Sequence, residues 1–248
     1  MNTRPTHDAA SPFADGTKAF ASCTLKLSGE PWAFARDHAS AIDAHWQAAA
    51  GANPAYFNGA VHLIDHLHAS GGAIAATLTR TDFKSYLYWR TRGFPAAGVL
   101  DSFGSAVIRS SDGDVLLARQ MPGNVNHGFA CLPSGFIDAR DVQAGGAIDI
   151  ASSVAREVAE ELGEDIAGQL KREDGFIVAR SGTQLCFAVV YHASLSTAEI
   201  QALLHAHNAE TEEPELEALI PVASLGDIAG LQMVPYARVL LEGLFAAR

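Results

Sequence analysis

The sequence predicts an α/β (α+β) sandwich with a mixed sheet, preceded by a small α+β domain at the N-terminus. Strand-like and helix-like segments are mixed along the chain in an order that favours this layered architecture. Leu185–Ser194 is almost continuously apolar, which is typical of a central strand covered on both faces. Residues 93–98 are rich in glycine and small side chains, so we place a domain boundary near residue 98.

Length, composition and charge limit the classes of partner. With 248 residues, of which 48% are hydrophobic and 18% charged, the chain is long enough for one large domain or two small ones. A net charge of -11 argues against a nucleic-acid partner, because phosphate backbones are bound by clustered Lys and Arg. No apolar run approaches the ~20 residues of a membrane span. We therefore expect no membrane partner and a cytoplasmic location, and a homodimer stays open as the assembly state.

The three cysteines are far apart in the sequence and outside any CxxC spacing: Cys23, Cys131 and Cys186. This pattern predicts neither a disulfide framework nor a zinc site. We expect all three to be buried free thiols.

The N-terminal half is predicted to consist of a flexible segment, 1–17, and an α+β domain, 18–98. The flexible segment carries Pro and Gly and lacks the apolar core of a signal peptide. The elements expected in the domain are a strand, a helix, a hairpin and a helix capped by Asp82: Lys18–Ser28, 31–51, Ala60–Ala69 with Ala73–Thr79, and Phe83–Arg92.

Three histidines share one parity of the first hairpin strand: His62, His66 and His68. Three imidazoles on one strand face can in principle hold a metal ion. Because Ile64 shares that face and no cysteine accompanies it, we prefer the interpretation of a solvated strand face.

The C-terminal half, 99–248, contains the remaining strands and helices. The Asp112-Gly113 pair between two β-rich runs is a strong hairpin signal. The segments predicted around and after it are the strands Ser105–Arg109, Val115–Arg119, Gly175–Ala179, Leu185–Ser194 and Leu216–Val222, and the helices Thr197–Asn208 and Val234–Ala247.

The densest cluster of ionisable residues is Arg156-Glu157-Val158-Ala159-Glu160-Glu161-Leu162-Gly163. On a helix, the i, i+3 and i+4 spacing places Glu157, Glu160 and Glu161 on one side, where the three carboxylates repel each other. Hard divalent cations such as Mg²⁺ or Mn²⁺ require oxygen ligands at close range. Arg156 can reach Glu160 at i+4 and orient it. A solvated charged helix is the alternative for this run taken alone.

The surroundings of this run favour a rigid site. Ala151–Leu162 is predicted to be a helix with Asp149 as its N-cap and Gly163 just past its last turn. Upstream, 132–138 is predicted to end a strand in a tight turn, where Gly135 lets backbone groups approach a ligand or metal. An apolar stripe at four-residue spacing can pack the helix on the sheet: Val154, Val158 and Leu162.

The stretch from Gly135 to Gly163 resembles the signature of the Nudix hydrolase family: a glycine and an acid, then Arg-Glu-apolar-any-Glu-Glu-any-Gly-apolar. Asp141 stands where the family usually has Glu, and Glu164 stands where an apolar residue is usual. Between Asp141 and Arg156 lie 14 residues, about twice the usual number. Asp141 and Asp149 therefore stay alternatives for the early acidic role.

The resemblance implies a Nudix-type α/β/α sandwich over 99–248 and an enzyme that acts on acid anhydrides in phosphorus-containing compounds. The implied partner is a small-molecule nucleoside diphosphate joined to another group, and the implied cofactor is Mg²⁺, with Mn²⁺ as an alternative. The added segment Val142–Ile148 is expected to bulge outward. The implied metal ligands are Glu157, Glu160, Glu161 and the Gly135 backbone, and the implied catalytic residues are Glu157, Arg156 and Glu160.

A general base is also needed. Glu157 is one candidate, and a glutamate of the acidic loop after residue 209 is the other: Glu212, Glu213 or Glu215. An ordinary exposed loop stays an alternative for these last three.

The N-terminal half narrows the expected substrate. Phe57-Asn58-Gly59 and the segment 80–87 resemble the Nudix branch that hydrolyses UDP-glucose and UDP-galactose. The loop 123–128 could line a base or sugar pocket, although a plain surface loop is the preferred interpretation. Two other classes stay open: a non-hydrolytic sensor of a nucleotide sugar or metabolite, and a structural interaction module.

Overall fold

A computed structural model describes residues 13–246 as two mixed β-sheets with helices packed on them. The strands are β1 (Gly16–Phe20), β2 (Ser22–Pro31), β3 (Ala60–Ser70), β4 (Ala73–Asp82), β5 (Asp101–Arg109), β6 (Val115–Gln120), β7 (Ala130–Cys131), β8 (Ser134–Phe136), β9 (Ala147–Ile148), β10 (Leu170–Arg172), β11 (Phe176–Ser181), β12 (Gln184–Ala193) and β13 (Leu216–Val222). The helices are α1 (Ala33–Asp37), α2 (Ala39–Ala52), α3 (Phe83–Thr91), α4 (Ile150–Leu162), α5 (Glu164–Ala167), α6 (Thr197–Glu210) and α7 (Pro235–Ala246), with 3₁₀ turns at Ala139–Asp141, Ala144–Gly146 and Leu225–Ile228.

The larger sheet has the strand order β1-β11-β12-β5-β6-β13, with the short strands β10, β7 and β8 paired to β12, β6 and β5. β12 and β5 run parallel, and the other pairs are antiparallel. Residues 185–191 of β12 are all buried. The central position predicted for Leu185–Ser194 is confirmed.

Helices cover both faces of the larger sheet. A Cβ at Gly104 of β5 would lie 2.6 Å from Cγ2 of Val154 on α4. The neighbouring Phe103 points to the opposite face, where its ring centroid lies 4.5 Å from that of Tyr236 on α7. The predicted α/β/α sandwich with a mixed sheet is therefore confirmed.

Both predicted hairpins form. β3 and β4 pair antiparallel from Ala60↔Asp82 to Ser70↔Ala73. At the second hairpin the Gly113 N–H donates to the Ser110 carbonyl at 3.0 Å, with Gly113 at φ +92°. An Asp-Gly pair supplies this left-handed position at little steric cost.

The smaller sheet has the order β3-β4-β2-β9, and its last strand comes from the added segment of the C-terminal half. Ile148 of β9 pairs with Leu25 of β2 and is buried. The expectation that Val142–Ile148 bulges outward holds for the exposed residues 143–145 and is wrong for its end, where Ile148 lies in a sheet edge and contributes an apolar side chain to the core.

Two predicted elements of the N-terminal half are each split in two. Lys18–Ser28 forms β1 of the larger sheet and β2 of the smaller one, with a break at Ala21, whose N–H donates to the Gly72 carbonyl at 2.7 Å. The helix predicted over 31–51 is interrupted at His38, between α1 and α2.

Each half of the chain thus contributes a strand to the other half's sheet. Residues 1–12 of the predicted flexible segment lie outside the described residues, whereas Phe13 is buried and Gly16 begins β1. The domain boundary near residue 98 stays a prediction.

The histidine strand differs from its parity pattern. A β-bulge between Ile64 and His66 shifts the alternation of faces. His62 is 1% exposed with Nδ1 3.1 Å from the Ile137 carbonyl oxygen, whereas His66 and His68 are exposed. The solvated-face interpretation holds for the last two and is wrong for His62.

Two of the three cysteines have the burial expected from the sequence. All three thiols are free, with Cys131 and Cys186 buried and Cys23 half-buried. Among residues 13–246, no helix combines the length and apolar character that crossing a membrane requires.

Gly104→Ala should destabilise the fold. Its Cβ would meet Val154 Cγ2 at 2.6 Å and Ile150 Cδ1 at 3.2 Å, so α4 would have to move off the sheet. Overpacking of this kind costs about 1–3 kcal/mol, which denaturant unfolding followed by circular dichroism measures. Gly230→Ala is the matched control, because its Cβ would meet nothing within 4 Å. Equal unfolding midpoints for the two variants would contradict the packing of α4 on β5.

Candidate metal and substrate site

Helix α4 is held in place at its ends and along one side. The Asp149 carboxylate accepts from the Ala151 and Ser152 N–H groups at 3.1 and 3.2 Å, so the predicted N-cap is confirmed. Gly163 ends the helix at φ +92°. The predicted apolar stripe is buried against the sheet: Val154, Val158 and Leu162.

Glu157 is directed into the sheet through a gap left by Gly135. A Cβ at Gly135 would lie 2.0 Å from Glu157 Cδ and 2.2 Å from Oε2. Gly135 lies within β8 and pairs with Gly104, so the tight turn predicted there is wrong. The glycine is needed because any side chain at this position would occupy the space of the carboxylate.

Glu161 is the most buried of the three predicted carboxylates, at 2% exposed. Its Oε2 accepts from the Ser134 N–H at 3.1 Å, which joins α4 to β8. Burial, together with the charges of Glu215 and Glu157, raises the pKa of Glu161 well above its ordinary value.

Two arginines neutralise the cluster. Arg156 Nη1 lies 2.6 Å from Glu157 Oε1 and 3.0 Å from Glu160 Oε2, so the predicted pair with Glu160 is present. Arg140 Nη1 donates to Glu160 Oε1 at 3.0 Å. Arg140 was not singled out from the sequence, since it lies 20 residues from Glu160 and outside the helical spacing.

The two early acidic residues have different roles. Asp149 caps α4, as described above, whereas Asp141 is buried and accepts from Arg156 Nη2 at 3.0 and 3.3 Å. The Asp138 N–H also donates to Asp141 at 2.9 Å. Asp141 is therefore the one that reaches the glutamate cluster, through Arg156.

Burial of several like charges sets the electrostatics. Desolvation raises the pKa of Glu157 to about 7, against the lowering effect of Arg156 and with a further raising effect from Glu160. Desolvation and the charge of Glu160 also raise the pKa of Glu215. These carboxylates interact unfavourably with each other, and a cation placed among them would relieve that repulsion.

The donor set fits a hard divalent cation, since carboxylate oxygens are the ligands that Mg²⁺ and Mn²⁺ prefer. Among residues 13–246, no three His, Cys, Asp or Glu side chains are already grouped around one metal position. Two of the predicted ligands, Glu157 and Glu160, are engaged by arginine instead. The Arg140 side chain is 57% exposed and that of Arg156 22%, so the Arg140 contact with Glu160 is the more strongly screened by solvent.

A cavity of about 880 Å³ opens at the glutamates and is lined by both halves of the chain. Of the acidic loop, Glu213 and Glu215 border the cavity and Glu212 does not. Residues 123–126 also line it, so the preferred interpretation of 123–128 as a plain surface loop is wrong. The N-terminal half contributes side chains that sequence reasoning did not assign to the site: Tyr56, Phe57, Phe83, Tyr86 and Arg90.

No protein-family profile matches the chain, and no curated protein matches it. Among solved structures it is similar to the Nudix hydrolase RenU from M. smegmatis (18% identity, 59% of this chain and 84% of that one, TM-score 0.40). It is also similar to the MutT protein from Methanosarcina mazei, with 23% sequence identity and a TM-score of 0.39. That match covers 59% of this chain and 93% of the other.

A third similar structure is a bifunctional NMN adenylyltransferase/ADP-ribose pyrophosphatase from Francisella tularensis, in complex with AMP and a Mn ion. It is 14% identical, and the match covers 65% of this chain but 45% of that one, with a TM-score of 0.39. With sequence identities and TM-scores this low, the three similarities carry no argument about the chemistry of the site.

The stability of the protein should fall as the pH rises from about 4.5 to 7. The pKa of Glu157 is about 7 in the folded protein and 4.5 ordinarily, so the folded state binds more protons in this range. Glu157→Gln should remove part of the fall, at most about 3 kcal/mol. Urea unfolding across this pH range measures the effect.

Glu242→Gln, at an exposed position of α7, is the control and should leave the pH dependence unchanged. If Glu157→Gln and Glu242→Gln give the same slope of stability against pH, then Glu157 is not desolvated.

Proposed function

We propose that the chain is a divalent-metal-dependent pyrophosphohydrolase that cleaves the diphosphate of a nucleoside diphosphate linked to another group. The observation that carries this proposal is the convergence of glutamates at one cavity. Glu157 and Glu160 of α4 line it together with Glu215 of the acidic loop, and Glu161 lies buried on the same helix. Diphosphate is itself anionic, so binding it beside carboxylates requires cations between them.

The metal would be held by Glu157, Glu160 and Glu161, assisted by the Gly135 backbone. When bound, Mg²⁺ would offset the charge of the diphosphate and lower the pKa of the attacking water. Arg156 orients Glu157 and Glu160, and Asp141 holds Arg156 from the other side. These contacts keep the carboxylates in place while the cavity fills.

In the reaction, water attacks one phosphorus, the bridging P–O bond breaks and two phosphate-bearing products leave. Glu157 accepts the proton of the attacking water. Glu215 is the alternative base, since it borders the same cavity.

Within this class, we propose UDP-glucose and UDP-galactose as the first substrates to test. Support comes from the N-terminal segments that resemble the UDP-sugar branch. Phe57, Gly59, Phe83 and Tyr86 of those segments border the cavity.

The protein should cleave at least one member of a panel of nucleoside diphosphate sugars, dinucleotides, coenzyme A and nucleoside triphosphates in Mg²⁺ or Mn²⁺. Joint substitution of Glu160→Gln and Glu161→Gln should lower kcat by about 100-fold or more, since both remove negative oxygen ligands. Phosphate-product release measures turnover, and EDTA should abolish it.

Glu242→Gln serves again as the control, because this exposed glutamate lies outside the cavity lining. Turnover that survives in the double variant, or that is equal with EDTA, would rule out the metal-site mechanism.

A second candidate is a non-hydrolytic sensor of a nucleotide sugar or metabolite. The observation in its favour is that Arg140 and Arg156 already pair with two of the three carboxylates that would bind metal, Glu157 and Glu160. Calorimetry distinguishes the two: a sensor binds a panel member with no product formed after prolonged incubation with Mg²⁺.

A further inference from the structure

A second polar group on the cavity wall takes no part in the proposed hydrolysis. Its centre is Asp101, the first residue of β5. Asp101 Oδ2 accepts from the Tyr86 hydroxyl at 3.2 Å and from the Gln184 side-chain amide at 3.4 Å. Arg90 in turn donates to the Tyr86 oxygen at 3.1 Å. All four side chains belong to residues that border the cavity.

The other carboxylate oxygen, Asp101 Oδ1, is buried without a hydrogen-bond partner. Asp101 is 1% exposed, and buried polar atoms without partners are rare enough to require a reason. Burial raises the pKa of Asp101 to about 6, against the lowering effects of Arg90, Gln184 and Tyr86. Oδ2 already accepts from two donors and Oδ1 has none, so the group acts as a hydrogen-bond acceptor that lacks a donor.

Gln184 is the group that a ligand would displace to reach Asp101. Its side chain is half-buried, borders the cavity and makes a long 3.4 Å hydrogen bond to Asp101. A bond of that length is weak. A ligand N–H offered from the cavity can replace that hydrogen bond.

The positive charge that balances Asp101 is firmly held. Arg90 Nη2 donates to the Val125 carbonyl at 3.1 Å and to the Asn126 side-chain oxygen at 2.8 Å. The Asn126 N–H donates to the Gln120 side-chain oxygen at 3.1 Å. The polar wall is therefore pre-organised by contacts from both halves of the chain.

An aromatic surface lies on the same cavity. Phe57 is 80% exposed, more than any other large hydrophobic side chain among residues 13–246, and borders the cavity. A Cβ at Gly59 would lie 3.4 Å from the Phe57 ring, so Gly59 leaves the ring room beside it. An exposed ring on a cavity wall suits stacking against a flat ligand, which offers a π-face and excludes water.

We infer that the cavity binds the planar nitrogen heterocycle of the substrate, with a heterocycle N–H donating to Asp101. The exposed Phe57 ring on the same cavity offers a face on which a flat group of the ligand can stack. Asp101 needs a hydrogen-bond donor and Phe57 needs a flat face. A bare phosphate or a saturated chain would not satisfy both. The inference rests on the proposed function, since it assigns the residues that read the base of the nucleoside diphosphate.

Binding without hydrolysis tests it. In EDTA, calorimetry with UMP, CMP, AMP, GMP and ribose 5-phosphate should show at least one nucleotide binding about tenfold or more tightly than the sugar phosphate. Phe57→Ala should weaken that nucleotide roughly five- to 100-fold and leave ribose 5-phosphate unchanged. Phe57→Trp should retain binding. The matched control is Phe129→Ala, on a ring 44% exposed and outside the cavity lining.

The hydrogen bond is tested with the tightest nucleotide and its analogue methylated on the heterocycle N–H donor. The protein should prefer the parent by about tenfold, and Asp101→Asn should erase that preference. If Asp101→Asn weakens both ligands equally, Asp101 has only a structural role and the inference is overturned. Should Asp101→Asn fail to fold, the Phe57 variants decide.

Equal binding of all nucleotides and ribose 5-phosphate overturns the inference as well. Because these measurements need neither metal nor turnover, they fail independently of the substrate panel. A protein that binds the heterocycle but cleaves nothing would contradict the proposed hydrolysis alone.

Discussion

The burial of like-charged carboxylates on α4 is the constraint on which the rest of the site depends. Glu157 and Glu161 are 8% and 2% exposed, and desolvation raises the pKa of both. Such burial is costly unless a partner of opposite charge is supplied. The structure supplies one through Arg156, and the missing side chain at Gly135 leaves space for the Glu157 carboxylate.

A helix that buries charge needs firm attachment elsewhere, and α4 is attached on several sides. Its apolar side packs on β5, where Gly104 allows the close approach. Its N-terminus is capped by Asp149, and the added segment before it pairs with β2 of the smaller sheet. The added segment Val142–Ile148 is therefore anchored next to the helix, since its last two residues form part of a sheet.

Features that depend on local sequence were predictable, and those that depend on distant pairing were not. The helical spacing around Glu157, the Asp149 cap and the Asp112-Gly113 hairpin follow from neighbours in the chain. β9 has only two residues, too few for a periodic pattern, and exists because β2 offers an edge. The bulge between Ile64 and His66, which separates the buried His62 from the exposed His66 and His68, also leaves no sign in the parity of the sequence.

Much of the glutamate side of the site could also be read from the sequence, whereas the opposite wall could not. Three glutamates within five consecutive residues form a pattern that is visible in the sequence. Arg90, Asp101 and Gln184 come from three separate elements and form no such pattern. These three side chains can be recognised as one group only from the fold, which brings α3, β5 and β12 together at the cavity. Gly135 was predicted to belong to the site through a tight turn, but its backbone lies in a strand. Its contribution is the missing side chain, which leaves space for Glu157.

The cavity needs both halves of the chain, and this has a consequence for specificity. The glutamates come from the C-terminal half, while Phe57, Tyr86 and Arg90 come from the N-terminal half. In the proposed hydrolysis, contacts to the part of the substrate that does not react can position the diphosphate and so raise kcat as well as affinity. The strands exchanged between the sheets fix the two walls relative to each other. Rigid placement of this kind lets a binding contact on one wall orient the bond that breaks beside the other.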